Sequence, residues 1–315
     1  MDRTLFHRCV FAAASLNLQG RSSKPGPLQH YGSPLKGSGF RGRVPMTDLQ
    51  VRQRPEVGTL HNSSSRHTAS MPSIHEPVSD TASIDFSIAF QPIVNAAARK
   101  VISFEALVRG PQGEPASEVF ACVPREELHA FDHACRLKAI RMATGLHLQT
   151  SLNLNFLPNS VQRSTEFLRL TLQASVEAGL PVERLVFEVT EMEYWQHRGS
   201  VEGMFGKCAA LGFQTAIDDF GTGFSGLGRL AEYQPDYVKL DRGLVEDIHV
   251  HHVKQAIVRG ICGICDQLSI TPVAEGVEKV EEYRWLRHAG ISLFQGFYFA
   301  RPAFEALADV PAALF

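Results

Sequence analysis

The sequence has 315 residues, of which 44% are hydrophobic and 20% are charged, so it can bury at least one large core. Its formal net charge of −2 argues against binding polyanions through bulk charge, and we predict no polymeric nucleic-acid partner. No run approaches the ~18 consecutive apolar residues of a transmembrane helix, so we expect no membrane span.

The first 80 residues differ in composition from the rest of the chain. They carry eight Arg and two Lys against five acidic residues, a net charge of +5, whereas residues 81–315 have a net charge of −7. They are rich in Ser, Gly and Pro and show no sustained periodicity, so they cannot bury enough apolar surface to offset the entropy of ordering. We therefore predict a disordered segment over 1–80 and one folded domain over 81–315.

The six cysteines are scattered, and only Cys262 and Cys265 lie close together in sequence. This pair falls inside 256–268, where apolar residues have helical spacing, and no second Cys or His pair follows at zinc-finger distance. We interpret both as small, buried residues of a helix. Thiols without a disulfide framework are typical of a reducing compartment, so we expect a cytoplasmic protein.

From residue 84 onward, the hydrophobic pattern first predicts a β-hairpin and a long helix. Residues 84–94 and 101–108 form the two strands of the hairpin, and 125–146 form the helix. Strand and helix then alternate to the end of the chain. The predicted strands are 151–156, 185–191, 213–219, 237–241, 270–275 and 292–299, and the predicted helices are 165–178, 201–211, 228–233, 253–268 and 280–289.

This alternation predicts a parallel sheet with helical crossovers, and the strand count fits a closed TIM (β/α)8 barrel better than an open sheet. The initial hairpin makes the barrel irregular. In such a barrel the C-terminal ends of the strands converge on one face, where active sites lie. The polar residues that we expect at this common mouth are Glu105, Asn155, Glu188, Asp218, Asp219, Lys239, Asp241, Glu275 and Gln295.

The most informative strand end lies at 213–223, where an apolar run ends on Asp218 and Asp219 before a glycine-punctuated loop. Two carboxylates held this close repel each other, and a bound cation relieves the repulsion. Taken alone, the stretch also has a purely structural alternative, an Asx-rich turn between a strand and a helix. The other mouth residues therefore decide how it is interpreted.

Five carboxylates and one amide oxygen at the mouth form an all-oxygen set of ligands. Such ligands suit Mg²⁺ or Mn²⁺ rather than zinc, and their number favours a pair of ions that activates water for phosphoryl chemistry. Lys239 and Arg109 add positive charge suited to a phosphate-bearing substrate. From the residues alone, an enolase-like or aldolase-like lyase remains the competing chemistry.

A series of short motifs resembles, in order, those of the EAL-domain cyclic di-GMP phosphodiesterases over roughly residues 84–310. A lone Glu-Ala-Leu would carry no information, but the ordered series is specific. The motifs are Glu-Ala-Leu-Val-Arg at 105–109, Asn155, Glu-Val-Thr-Glu at 188–191, Asp-Asp-Phe-Gly-Thr-Gly at 218–223, Lys-Leu-Asp at 239–241, Ala-Glu-Gly-Val-Glu at 274–278 and Gln-Gly-Phe at 295–297.

The resemblance implies a modified TIM barrel whose first strand is antiparallel, in agreement with the hairpin. It also implies hydrolysis of one phosphodiester of cyclic di-GMP to linear pGpG with two Mg²⁺ or Mn²⁺. The metal ligands that it implies are Glu105, Asn155, Glu188 and Asp218 for the first ion, Asp218 and Asp219 for the second, and Glu275 directly or through water.

The resemblance also assigns the remaining roles. Lys239 would hold and polarise the attacking water, with Asp241 beside it. Glu191 would brace the loop from Phe220 to Ser225, through which we expect a homodimer to form, and a regulatory protein partner is a further expectation. The residues expected to contact the nucleotide are Gln91, Leu107, Arg109, Glu278 and Gln295.

Two features depart from most members of the family. The segment between Arg109 and the 125–146 helix is short, and no serine stands two residues after Asn155. Both features resemble the subgroup attached to blue-light-sensing flavin domains, although no flavin domain fits in 1–80. All the metal and water residues are present, which favours an active enzyme. The alternative is a catalytically idle receptor that signals by binding cyclic di-GMP or a protein.

Overall fold

The computed structural model describes residues 84–157, 161–191, 198–222 and 226–315. The segment 1–80, for which the sequence predicts disorder, lies outside this part of the chain, as do residues 223–225 of the predicted dimer loop. Among the described residues, no helix has both the length and the apolar character needed to cross a membrane.

Eight strands close a barrel because the first strand pairs with both the second and the eighth. In chain order they are β1 (Ser87–Asn95), β2 (Lys100–Arg109), β3 (Ser151–Asn155), β4 (Leu185–Thr190), β5 (Gln214–Phe220), β6 (Tyr237–Leu240), β7 (Thr271–Ala274) and β8 (Leu293–Phe294). From β2 to β8 all neighbours are parallel, whereas β1 is antiparallel to β2, to β8 and to a short ninth strand, β9 (Ala303–Phe304). The predicted modified TIM barrel with an antiparallel first strand is confirmed.

The helices pack around the barrel and enclose the main apolar core between themselves and the strands. They are α1 (Ala116–Ala121), α2 (Leu128–Gly145), α3 (Val161–Glu177), α4 (Arg198–Leu211), α5 (Gly226–Leu230), α6 (Arg242–Val245), α7 (His252–Leu268) and α8 (Val280–His288). In α7 the buried residues Val258, Ile261 and Cys265 follow helical spacing. Cys262 and Cys265 both lie in this helix, as predicted, but only Cys265 is buried, whereas Cys262 is half-buried.

The inner face of the barrel changes from apolar to polar towards the mouth. Ile93, Val273 and Leu293 form a separate buried cluster inside the barrel. Because side chains on one face of a strand recur every second residue, the next inward positions after Val273 and Leu293 are Glu275 and Gln295. Both polar residues are buried. The apolar cluster therefore closes the barrel beneath a polar layer.

The last predicted strand, 292–299, is much longer than the strand observed. Only Leu293–Phe294 pairs with β7. After Phe294 the chain turns away from the strand direction, and its backbone forms hydrogen bonds with Val277 instead. The backbone N–H of Val277 donates to the carbonyl of Gln295, and the N–H of Tyr298 donates to the carbonyl of Val277. Apolar periodicity continues through this turn, which is why the sequence pattern overestimates the strand.

This turn brings two backbones so close that Gly296 has no space for a side chain. A Cβ on Gly296 would lie 2.0 Å from the carbonyl oxygen of Val277 and 2.4 Å from its nitrogen. We expect Gly296→Ala to lower the free energy of unfolding by about 2–4 kcal/mol in urea denaturation. The control is Gly263→Ala, in exposed helix with no atom near the added methyl, and we expect a gain of about 0.5–1 kcal/mol. Equal stabilities for the two variants would contradict this account.

The buried side chain of His133 makes the free energy of unfolding depend on pH. Its ring stacks on Phe167 in the interior, and burial, with the nearby Arg136 charge, lowers its pKa from the usual 6.5 to about 4. Below pH 6.5 the unfolded chain therefore binds a proton that the folded chain does not, so the free energy of unfolding falls as pH decreases towards 4.

We expect His133→Phe, which keeps the ring, to show a melting temperature that falls less than that of the wild type between pH 6.5 and 4. His252→Gln, at an exposed position, is the control and should keep the wild-type slope. Parallel curves for wild type and His133→Phe would show that His133 does not titrate in this range.

Candidate active site

The C-terminal ends of the strands surround a cavity of about 620 Å³. Of the site residues that the sequence predicts, all but Lys239 and Glu191 line this cavity. The lining members are Gln91, Glu105, Leu107, Arg109, Asn155, Glu188, Asp218, Asp219, Asp241, Glu275, Glu278 and Gln295. The barrel thus gathers residues from both ends of the domain at one mouth, as the sequence pattern predicts.

Lys239 is fully buried, and its ammonium group lies among four carboxylates. The Nζ atom is 2.7 Å from Glu188 Oε2 and 3.2 Å from Glu105 Oε2. It is also 2.9 Å from Glu275 Oε1 and 3.1 Å from Asp218 Oδ1. Four acids and one lysine leave excess negative charge if all are ionised. Lys239 therefore lies at the centre of the acidic cluster rather than on the cavity wall.

This crowding changes the proton affinities of the cluster. Burial raises the pKa of Glu188 well above its usual value, and the neighbouring carboxylates add to the rise while Lys239 opposes it. Burial alone would lower the pKa of Lys239, but the four carboxylates raise it well above its usual range. Additional positive charge would therefore stabilise the ionised carboxylates of this cluster.

Two overlapping groups of these acids have the geometry to hold cations. Oxygen atoms of Glu105, Glu188 and Asp218 lie within 4.8 Å of one another, and so do oxygen atoms of Asp218, Asp219 and Glu275. Asp218 belongs to both groups, as expected of a carboxylate that bridges two ions. The donors are all oxygen and carry excess negative charge, so the residues fit Mg²⁺ or Mn²⁺.

A backbone irregularity lets two adjacent aspartates serve the same cluster. Side chains at successive positions of a regular strand point to opposite faces. Here Asp219 adopts a left-handed φ of 53°, and the pairing of β5 with β6 shifts register between Ile217 and Phe220. The N–H of Asp219 also donates to Asp218 Oδ1 over 3.0 Å. This distortion explains how Asp218 and Asp219 both contribute to one group of ligands.

Side-chain amides surround Glu105 at the edge of the cluster. Gln295 Nε2 donates to Glu105 Oε2 over 2.9 Å and to Gln91 Oε1 over 3.3 Å. Asn155 Nδ2 lies 3.4 Å from Glu105 Oε1. Since its nitrogen faces a carboxylate, Asn155 has its amide oxygen as the atom suited to a cation. These contacts link predicted substrate residues to predicted metal ligands.

Two predicted residues have structural contacts of their own. Glu191 Oε2 accepts the N–H of Gly221, two residues after Asp219, over 2.9 Å, so it holds the start of the predicted loop. Asp241 lines the cavity but also caps α6, because its Oδ1 accepts the N–H of Gly243 over 2.7 Å. Asp241 therefore combines a structural contact with a position at the mouth.

The sequence pattern missed several residues at the cavity. Arg242 lines it and pairs with Glu278 over 3.0 Å, and Gly276 allows this crossing because its Cβ would lie 2.8 Å from Arg242 Cβ. Ser117 and Phe120, from the unpredicted helix α1, also line the cavity. The position of Arg242 directly after the Lys-Leu-Asp motif is a signal that could have found it. No recognisable sequence motif adjoins Ser117 or Phe120 in α1.

Comparisons with known proteins agree with this geometry. The sequence matches the family model of the EAL domain over residues 79–302. It is 31% identical over 228 residues to the blue light- and temperature-regulated antirepressor BluF of Escherichia coli, a match covering 72% of this chain and 57% of BluF. It is 29% identical over 230 residues to the probable cyclic di-GMP phosphodiesterase PdeN of the same bacterium, covering 69% of this chain and 43% of PdeN. The chain spans about half the length of these relatives.

Two solved structures share the barrel. A standalone versatile EAL protein from Vibrio cholerae, in its c-di-GMP bound form, has 42% identity and a TM-score of 0.69, covering 74% of this chain and 98% of that one. Klebsiella pneumoniae BlrP1, in a manganese and cyclic di-GMP complex, has 39% identity and a TM-score of 0.69, covering 71% of this chain and 58% of BlrP1. With a family model matching most of its length and the same fold, the chain belongs to the EAL domain family.

Proposed function

We propose that this chain hydrolyses one phosphodiester of cyclic di-GMP to linear pGpG, using two Mg²⁺ or Mn²⁺ ions. The observation that carries the proposal is that Asp218 is shared by two groups of carboxylates beside a buried lysine, next to a cavity of about 620 Å³. It is supported by the name of PdeN and by the manganese and cyclic di-GMP complex of BlrP1. The reaction would lower the concentration of a bacterial second messenger.

The acidic cluster provides the ligands for the ions. In our proposal Glu105, Asn155, Glu188 and Asp218 hold one cation, and Asp218, Asp219 and Glu275 hold the other. Two such cations, when bound, lower the pKa of a water and offset negative charge on the phosphate oxygens. Asp218, the acid common to both groups, would help to hold both ions.

In our proposal, bound cations would take over carboxylate oxygens that now contact Lys239, and an ammonium N–H released in this way would hold and polarise the attacking water. The raised pKa of Lys239 keeps it cationic at neutral pH, so it acts as a hydrogen-bond donor and a fixed positive charge. Asp241 lines the same cavity, and we propose that it lies beside this water. Glu191 acts indirectly, because its bond to Gly221 holds the chain that follows Asp218 and Asp219.

The cavity wall provides the contacts to the nucleotide. Arg109 offers positive charge to a phosphate, and Leu107 offers an apolar surface to a base or sugar. Gln91, Gln295 and Glu278 offer hydrogen-bonding groups to base edges. We propose that these five residues orient cyclic di-GMP so that one phosphodiester faces the cation site.

The proposal also covers the oligomeric state, the cellular location and the regulation of the protein. We propose a cytoplasmic homodimer formed through the loop from Phe220 to Ser225, with activity set by a regulatory protein partner. The bond between Glu191 and Gly221 supports a link between this loop and the acidic cluster, because it joins the first loop residues to the end of β4. Residues 223–225 lie outside the described part of the chain.

The second candidate function is a receptor that binds cyclic di-GMP or a protein without hydrolysis. One observation favours it: BluF, at 31% identity, is named as an antirepressor. Such a protein would keep the cavity but would not need the complete set of acids and the buried lysine. The completeness of that set makes the enzyme the better proposal.

One experiment separates the two functions. The full chain is incubated with cyclic di-GMP and Mn²⁺, the products are separated by chromatography, and ligand binding is measured on the same preparation in EDTA. The proposal predicts pGpG, and cyclic di-AMP as a control should remain intact. Tight binding with no product would favour the cyclic di-GMP receptor. Neither binding nor product would exclude both the enzyme and the cyclic di-GMP receptor, and would leave the fold and a receptor for a protein.

A further inference from the structure

We propose that Asn153 is a positioning residue that fixes the orientation of the Glu188 carboxylate towards the cation site. The inference rests on the proposed function, because Glu188 matters here as a metal ligand. Asn153 lies on β3 two residues before Asn155, so both face the interior of the barrel. It is 5% exposed and lies beneath the residues that line the cavity.

The two oxygens of Glu188 have different partners. Asn153 Nδ2 donates to Glu188 Oε1 over 2.7 Å, and Lys239 Nζ donates to Glu188 Oε2 over the same distance. Rotation of the Glu188 carboxylate would break its hydrogen bond with Asn153 or its hydrogen bond with Lys239. Because Oε1 is held by a neutral amide, Oε2 is the oxygen left to the charged cluster. Asn153 thereby favours ligation of a cation through one oxygen of Glu188.

The orientation of the Asn153 amide is itself determined by a neighbouring strand. The hydroxyl of Ser103 donates to Asn153 Oδ1. If the amide were turned round, its oxygen would face Glu188 Oε1, and two acceptors would oppose each other. Ser103, at 4% exposure, lies on β2 and is buried with Asn153 and Glu188. The three side chains form a continuous chain of donors and acceptors from Ser103 to the acidic cluster.

A packing role alone would not explain an asparagine at this position. The interiors of TIM barrels are filled mainly by branched apolar side chains, and leucine has the same branching and the same number of side-chain heavy atoms as asparagine. Burying an amide costs free energy unless its hydrogen bonds are made. Here those bonds lead to a predicted metal ligand, and residues that orient metal ligands affect metal binding in a measurable way.

The test is the affinity of the full chain for Mn²⁺ alone, measured by calorimetry without nucleotide. We expect Asn153→Leu to weaken Mn²⁺ binding by about 10–100-fold, the usual effect of losing a group that orients a ligand. The matched control is Asn95→Leu, at the end of β1 and outside the cavity, and it should bind Mn²⁺ like the wild type. A merely structural role would lower the melting temperature of Asn153→Leu without changing the Mn²⁺ affinity of the folded protein.

Ser103→Ala provides a second and milder variant. We expect it to weaken Mn²⁺ binding less than Asn153→Leu does, and to add no further loss in the double variant, because Ser103 acts only through Asn153. If the leucine variant does not fold, Ser103→Ala alone decides between weaker and unchanged affinity. Unchanged Mn²⁺ affinity in a folded Asn153→Leu, or in Ser103→Ala if only that variant folds, would overturn the inference.

The proposed function can fail separately from this inference. A wild-type chain that binds Mn²⁺ but forms no pGpG would contradict the proposed hydrolysis, while the ratio of Mn²⁺ affinities would still decide the role of Asn153. A wild-type chain that binds no Mn²⁺ would overturn both.

Discussion

Asp218→Asn is expected to reduce pGpG formation by about 10³-fold or more, close to complete loss. Asp218 is the acid common to both groups of potential cation ligands, so the substitution removes negative charge from each group and replaces one oxygen by an NH₂ group. The measurement is the initial rate of pGpG formation with saturating Mn²⁺. Cyclic di-GMP binding should persist, because the wall residues of the cavity are unchanged.

The stability of this variant distinguishes a chemical effect from misfolding. Asp218 is one of four carboxylates around Lys239, so its neutralisation reduces repulsion in a buried cluster. In EDTA the melting temperature of Asp218→Asn should therefore equal or exceed that of the wild type. Asp266→Asn, an exposed acid on α7, is the control and should keep the full rate. Retention of most of the activity in Asp218→Asn would refute the two-cation assignment.

Lys239→Met is expected to lower the free energy of unfolding by about 3–5 kcal/mol in EDTA, because it leaves four buried carboxylates without their ammonium partner. Urea denaturation at neutral pH measures this loss. Mn²⁺ should restore more stability to the variant than it adds to the wild type, since cations would then provide the missing positive charge.

The same substitution tests the catalytic role of the lysine. Without the ammonium group nothing at this position polarises the water, and we expect pGpG formation to fall by about 10²–10⁴-fold even with Mn²⁺ bound. Lys100→Met, at the exposed start of β2, is the matched control and should change neither stability nor rate. A Lys239→Met chain as stable as the wild type in EDTA and equally active would show that Lys239 is dispensable.

The barrel could be predicted from the sequence because its signals are local and repeated. Strand and helix patterns alternate, and the hairpin at the start of the domain requires an antiparallel first strand. Two short helices were not predicted. Helix α1 has six residues and α6 has four, too few for a periodic pattern, and both depend on contacts with the rest of the fold. The turn at Gly296 was missed because its cause is a close approach to Val277.

The candidate site could be predicted as a set of residues but not as an arrangement. Strand ends and the family motifs identified the acids and Lys239, yet nothing in the sequence places the lysine among four carboxylates at once. The sequence also does not predict the left-handed backbone of Asp219, which accompanies the register shift between β5 and β6. Asn153 carries only a weak signal, its position two residues from Asn155, because a polar residue inside a strand pattern is not distinctive without its partners.

The most direct test of the account is the rate of pGpG formation by the full chain as a function of free Mn²⁺ concentration. We expect no product in EDTA, and a rate that rises more steeply than in proportion to Mn²⁺ while both cation positions fill. A rate that persists in EDTA, or the absence of pGpG at every Mn²⁺ concentration, would contradict the proposal that this acidic cluster is a two-cation phosphodiesterase site.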